Sequence, residues 1–158
     1  MEFKTIGNHT FQYIGAINLV RDRKGSVIEE LPQSRYRNSG NLPLNNYGRG
    51  PFCKFRVAKG NQDGGVYVIM CEQMPVYVGE SENLDRRFSS NGYGGISPRN
   101  CFKGGQETNC RVNNLVLMAV KRGRHLVLWF HALEGGKLVR VKIETGLINK
   151  LRPEWNRC

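Results

Sequence analysis

The chain has 158 residues, 39% of them apolar, and 24 Lys and Arg face 13 Asp and Glu, for a net charge of +11 and a pI near 9.8. That is enough chain for one compact domain with a real core, and no run of eighteen apolar residues exists to form a membrane-spanning helix. A positive excess of this size attracts polyanions, phosphate backbones first among them.

Along the chain, the opening MEFKTIGNHTFQYIG has no continuous apolar run, which argues against a secretory signal. Thr10–Val20 (TFQYIGAINLV) alternates as a strand, RDRKG is turn-like, and SVIEEL answers as the returning strand of a hairpin. Pro32–Phe52, dense in Asn, Gly, Pro and Arg, predicts a long ordered loop, and loops of that length are usually functional or mobile. Phe52–Ala58 predicts a further strand. GVYVIM and PVYVGE are β-rich runs joined by CEQM and predict an antiparallel hairpin. SENLDRRFSS follows as a short helix with Ser81 as its N-cap and Glu82 in its first turn.

A Gly-rich connection then carries Arg99 and Lys103 to a helix running from Asn109, which also holds Arg111 and has an apolar stripe at Val112, Leu115, Val116 and Ala119. HLVLWFHAL predicts a third strand. Val139, Ile143, Leu147 and Leu151, at four-residue spacing, predict a last helix that ends before Pro153. From residue 64 the order is β-β-α-α-β-α, an α+β fold with a small antiparallel sheet flanked by helices. Residues 1–63 are expected to form a β-hairpin and loop extension, and residues 64–158 a single compact unit. Ten basic and five acidic residues lie up to residue 63, fourteen and eight after it, so both parts are basic and the whole body is expected to face a nucleic acid.

Five cysteines (Cys53, Cys71, Cys101, Cys110, Cys158) are odd in number and never in CxxC spacing. That pattern fits free, inert thiols in a reducing cytoplasm rather than disulfides or zinc. Among the remaining polar residues, Glu144 lies beside the apolar stripe of the last helix, where a carboxylate is costly unless paired or coordinating a cation. A single carboxylate with several waters is also how Mg²⁺ is usually held, although a glutamate reaching out to solvent is the ordinary alternative. Arg87 suits bidentate phosphate contact and stabilisation of a transferring phosphoryl group. Its neighbour Arg86 points elsewhere on a helix. Tyr67 and Tyr77, taken singly, are more often packing residues than catalysts.

Taken in order, these positions resemble the GIY-YIG nuclease superfamily over Gly64–Cys158. Gly65-Val66-Tyr67 stands for GIY, Tyr77-Val78-Gly79 for YIG, and Arg87-Phe88 for the superfamily arginine and its following aromatic. Glu144 matches the metal-binding glutamate, and Asn156 in RPEWN matches an asparagine found beside the catalytic cluster. ETGLINKLRPEWN and LNNYGRGPFCKF look most like small bacterial or phage members, type II restriction enzymes included. GGQETNCRVNNL looks like a segment of stand-alone bacterial members. The chain departs from many members at two places. Asn91 stands where they carry a histidine, and Val68–Val76 has no lysine. His125 and His131, at the ends of the third strand, are expected to be ordinary strand-end residues.

The resemblance implies in-line hydrolysis of a DNA phosphodiester with one Mg²⁺ (or Mn²⁺) per site, held by Glu144. It implies Tyr67 as general base or water-orienting group, Tyr77 and Arg87 on the phosphate, and Asn156 orienting a ligand or water. Arg35, Arg37, Arg49, Arg86, Arg99, Lys103 and Arg111 are the candidate DNA contacts, some of them of a type that reads purine edges. A cutter of palindromes with one site per chain needs a homodimer or sequential nicking. Two other readings stay open: a single-strand-specific nuclease in which Tyr93 and Phe102 stack bases, and a non-catalytic nucleic-acid-binding module on the same scaffold.

Overall fold

The computed structural model describes residues 1–37, 39–58 and 60–156. Its strands and helices, in chain order, are β1 (Phe3–Ile6), β2 (His9–Ala16), β3 (Asn18–Leu19), β4 (Phe55–Arg56), β5 (Gly65–Cys71), β6 (Met74–Ser81), α1 (Leu84–Arg87), α2 (Glu107–Lys121), β7 (Leu126–Ala132) and α3 (Lys137–Leu151). They assemble into two units, each built from separated stretches of chain. The first comprises residues 1–17, 57–86 and 124–158, and the second residues 18–56 and 87–123.

The first unit is organised on a five-stranded sheet of order β1-β2-β7-β5-β6, antiparallel throughout. β5 lies between β7 and β6, and all seven of its residues are buried. That explains why GVYVIMC is apolar without alternation, since a strand covered on both faces has no polar side to show. Val66, Val68 and Val78 share a core with Trp129 and with Leu147 of α3, and Ile143, Ile148 and Leu151 of the same helix pack against it. α3 therefore covers one face of β5 and β6, and its four-residue apolar spacing marks the covering stripe. At its far end Arg152 takes the left-handed conformation (φ 46°) and Pro153 follows, so the helix stops there.

β2 departs from the expected pairing. Its hairpin partner is the upstream β1, closed by a two-residue Gly7-Asn8 turn with Ile6 opposite His9. Gly7 has φ +62°, the left-handed value such a tight hairpin turn requires. The predicted turn forms, with Asp22 Oδ1 accepting from the Lys24 and Ser26 N–H groups, but SVIEEL adds no strand to it. What remains are isolated bridges, Arg21 to Val27 and Glu30 to Phe52.

The second unit pairs β3 with β4 and adds α2 and three short 3-10 turns. Within the predicted loop 32–52, the Asn45 side-chain amide donates to the carbonyls of Asn100 (2.6 Å) and Phe102 (3.4 Å) and ties that part of the chain to the segment before α2. Asn113, fully buried in α2, accepts from the Cys53 backbone N–H (2.9 Å) and donates to the carbonyls of Cys53 and Tyr93 (2.8 Å each). One amide thus joins the helix to two loops that have no ladder of their own. The helix after β6 is shorter than expected, four residues, and its cap is different. Ser81 ends β6 and bonds locally to Asn83, while Asn83 Oδ1 accepts from the Arg86 N–H at 2.9 Å.

Asn113 gives a direct test of this packing. Asn113→Ala strands three buried backbone groups, each costing about 1–3 kcal/mol when unsatisfied. Urea denaturation should show a loss of more than about 3 kcal/mol; a loss below about 1 kcal/mol would mean that the amide is not the joint.

Candidate active site

The register of β5 and β6 sets the geometry of the two tyrosines. Tyr67 lies opposite Gly79, and Tyr77 opposite Ile69, so the phenols are diagonal neighbours on one face of the hairpin. Their ring centroids are 6.2 Å apart at 40°, and the residues are 1% and 8% exposed. The ring of Tyr67 runs across the backbone of Gly79, where any side chain would collide with the phenol. A Cβ on Gly65 would likewise strike the His131 carbonyl and the Phe130 ring. Both glycines are demanded by close approach.

Val66, Val68 and Val78 point to the opposite face, under α3. Glu144 is half-buried on that helix, on the same stripe as the buried Arg140 and Leu147, which lie four residues before and three after it. The structure thus brings Tyr67 and Tyr77 together directly. It places Glu144 on the helix packed against the other face of the same two strands.

Asn156 reaches this hairpin from the chain end. Its Oδ1 accepts from the Val78 N–H and its Nδ2 donates to the Val78 carbonyl, both at 2.8 Å. The Trp155 N–H donates to the Val76 carbonyl at 2.8 Å. These residues occupy the outer edge of β6, whose backbone groups would otherwise be an open strand edge. The asparagine therefore holds the residue between Tyr77 and Gly79.

One pair was not anticipated from sequence. Arg140 Nε lies 2.9 Å from Glu80 Oε2, with side chains 10% and 15% exposed. Glu80 follows Gly79 directly, and Arg140 is one helical turn before Glu144. A buried arginine on an otherwise apolar helix stripe, with an acid beside a strand glycine, was the available signal. Among the described residues no three His, Cys, Asp or Glu side chains converge on one point, and Glu80 is engaged by Arg140. Glu144 is the carboxylate on α3 that could hold a cation, and one carboxylate with water and substrate oxygens is a donor set that suits Mg²⁺.

Arg87 belongs to the second unit and is half-buried. Its guanidinium carbon is 5.6 Å from the Tyr93 ring centroid, a cation–π distance, and its carbonyl accepts from the Tyr93 N–H at 2.8 Å. Tyr93 packs edge-on against Phe88 at 5.3 Å. Tyr93 and Phe102 are 2% and 3% exposed, so the proposed base-stacking role fails: both rings are committed to the core. Arg35, Arg37, Arg49, Arg99 and Lys103 are exposed, and Arg111 is half-buried. Arg99 bonds the carbonyl of Lys103 in its own loop (3.2 Å), and Arg86 forms an exposed pair with Glu82 (3.5 Å).

The four described cysteines are free and buried; Cys158 lies outside the described residues. Burial, reinforced by Glu30, pushes the Cys53 thiol up to about 12, and a hydrogen bond that the Cys110 thiol donates to Cys101, together with burial, also raises Cys110. Neither is a nucleophile at neutral pH. His131 Nδ1 lies 2.8 Å from the Thr10 carbonyl, and its ring packs on His9 and Phe11.

The family model described as GIY-YIG catalytic domain matches residues 63–157. A solved structure of a mutant of bacteriophage T4 EndoII is similar in fold, with a TM-score of 0.50 and 21% identity, covering 73% of this chain and 87% of that one. No curated protein sequence matches the chain.

The Arg140–Glu80 pair makes a separable prediction. Arg140→Met leaves a buried carboxylate unpaired and should destabilise the protein by about 3–5 kcal/mol, whereas adding Glu80→Leu should recover most of that loss. Chemical denaturation of both single variants and the double one checks it. A double variant whose loss equals the sum of the two single losses would show that the charges do not interact.

Proposed function

Because the chain belongs to the GIY-YIG nuclease family, and is a phosphodiester-hydrolysing nuclease acting on DNA, we propose that it is a metal-dependent, site-selective endonuclease with Tyr67, Tyr77, Arg87 and Glu144 at its reactive centre. Glu144 would hold the divalent cation, Mg²⁺ or Mn²⁺, which supplies Lewis-acid charge at the scissile phosphate when bound. Tyr67, as the phenolate, orients the attacking water and takes its proton. As the water oxygen bonds to phosphorus, the bond to the 3′-oxygen breaks and the leaving oxyanion takes a proton from solvent water, giving a 5′-phosphate and a 3′-hydroxyl. Arg87 carries the charge on a non-bridging oxygen, and Tyr77 hydrogen-bonds the phosphate or the Tyr67 phenol. Asn156 acts through the backbone as a positioning residue, since its amide holds Val78 between Tyr77 and Gly79.

The observation that carries this reading is the packing of Tyr67 across Gly79 beside Tyr77. It gives the two motif triplets a shared geometric purpose. Site selectivity is supported by the exposed Asn46, a side chain of the kind that reads purine edges, in the Arg-bearing segment after Pro32. A restriction-type role would require two such sites, in a homodimer or by sequential nicking, to cut both strands. No described helix is long and apolar enough to cross a membrane.

Incubation with duplex and single-stranded DNA, in Mg²⁺ or EDTA, tests the proposal. Cleavage should need the metal and favour particular sites on sequencing of the cut ends. Glu144→Ala should bind DNA normally and lose cleavage by on the order of 10²–10³ or more, the usual loss for one electrostatic stabiliser. Undiminished cutting by that variant in Mg²⁺ would sink the assignment.

A further inference from the structure

The positive charge of this protein is unevenly divided between its two units. Residues 18–56 and 87–123 hold fourteen Lys and Arg against four Asp and Glu, a net +10. The sheet unit holds ten against nine, a net +1. A cut at residue 63 hides this, because each unit takes chain from both sides of that point. The few acids of the basic unit are largely engaged. Glu29 pairs with Lys121 at 3.1 Å, Glu30 with Lys54 at 3.5 Å, and Asp22 closes its own turn.

Within that unit, local bonding gathers five cations. Tyr36 packs its ring on Phe102 at 4.9 Å, and the arginines on either side of it, Arg35 and Arg37, are both exposed. Phe102 precedes the exposed Lys103, whose N–H donates to the Pro43 carbonyl at 2.9 Å. Arg99 donates to the Lys103 carbonyl at 3.2 Å. The Gln33 side chain donates to the Arg49 carbonyl at 2.9 Å, tying Arg49 to the turn that carries Arg35. Asn45 locks the two loops together through Asn100 and Phe102. The result is a preformed basic ridge around the Tyr36–Phe102 stack.

We infer that this ridge, Arg35, Arg37, Arg49, Arg99 and Lys103, is the docking surface for the DNA phosphate backbone, and that the sheet unit contributes chemistry but little electrostatic affinity. The inference deepens the nuclease reading and rests on it. Backbone contacts release counterions, so each one adds about 0.9 to the steepness of the fall of log K with log salt. A ridge already ordered by buried contacts also avoids the entropic cost of arranging five long side chains from a floppy segment.

The test compares two triple variants of the full chain, all substitutions being at exposed positions. One carries Arg35→Gln, Arg37→Gln and Lys103→Gln. The other carries Lys137→Gln, Lys142→Gln and Lys150→Gln in the sheet unit. Binding of a labelled duplex is measured in EDTA across a salt series, and cleavage in Mg²⁺. The ridge variant should lose about three units of salt slope and show a raised KM with kcat unchanged at saturating DNA. The sheet variant should match the wild type in both. Equal loss of slope in the two variants, or none in the ridge variant, would overturn the inference. A wild-type protein that binds DNA with a ridge-dependent slope but never cuts it would instead overturn the nuclease reading alone.

Discussion

The register that sets Tyr67 opposite Gly79 is the constraint on which the site depends. A strand repeats its facing every two residues, so a slip of one position would carry both tyrosines to the α3 face and send Val66, Val68 and Val78 the other way. Gly79 cannot be replaced without moving the Tyr67 ring, and Gly65 cannot be replaced without moving β7. The register is held from several sides at once. β7 pairs with β5 along its whole length, Asn156 and Trp155 hold the outer edge of β6, and Arg140 ties Glu80 to α3. The edge strand carrying one phenol is thereby fixed on three sides, the rigidity that the proposed site would need.

The charge is distributed to a different end. The sheet unit places one ion pair against the hairpin and is otherwise near neutrality, while the second unit gathers the excess. Affinity for a polyanion needs many exposed cations, each worth little alone. Hydrolysis needs a few groups held where the surrounding charge does not compete with them.

The hairpin, the last helix and the order of elements after residue 64 were legible because each rests on local periodicity: the β-rich runs around CEQM, and Val139, Ile143, Leu147 and Leu151 at four-residue spacing. The motif residues were legible because type and order suffice to recognise them. What escaped were contacts between residues far apart in sequence. Nothing local in NCRVNNLV marks Asn113 as the amide that satisfies Cys53 and Tyr93, and Arg140 resembles any helix-surface arginine until Glu80 is placed beside it. β1 was missed because its four residues carry little apolar signal, although the Gly7-Asn8 pair was a hairpin turn in plain view. The division of charge was invisible for the same reason, since a unit assembled from two separated segments has no boundary in the sequence.

The source of help for Tyr67 can be narrowed by facing. The site lacks a histidine at Asn91 and a lysine in Val68–Val76, and the Asn91 N–H is turned back onto Ser89 Oγ at 3.2 Å. His131 stands opposite Val66, and therefore on the α3 face of the sheet, whereas Tyr67 stands opposite Phe130 on the other. His125 precedes β7 at the end where Cys71 pairs Leu126, with its backbone held by Glu72. Tyr67 lies four positions from Cys71, about 13 Å along a strand. Neither histidine is placed to take a proton from the Tyr67 phenol. In the proposed site, the positive charge that a phenol needs to act as a base near neutral pH is then left to Arg87.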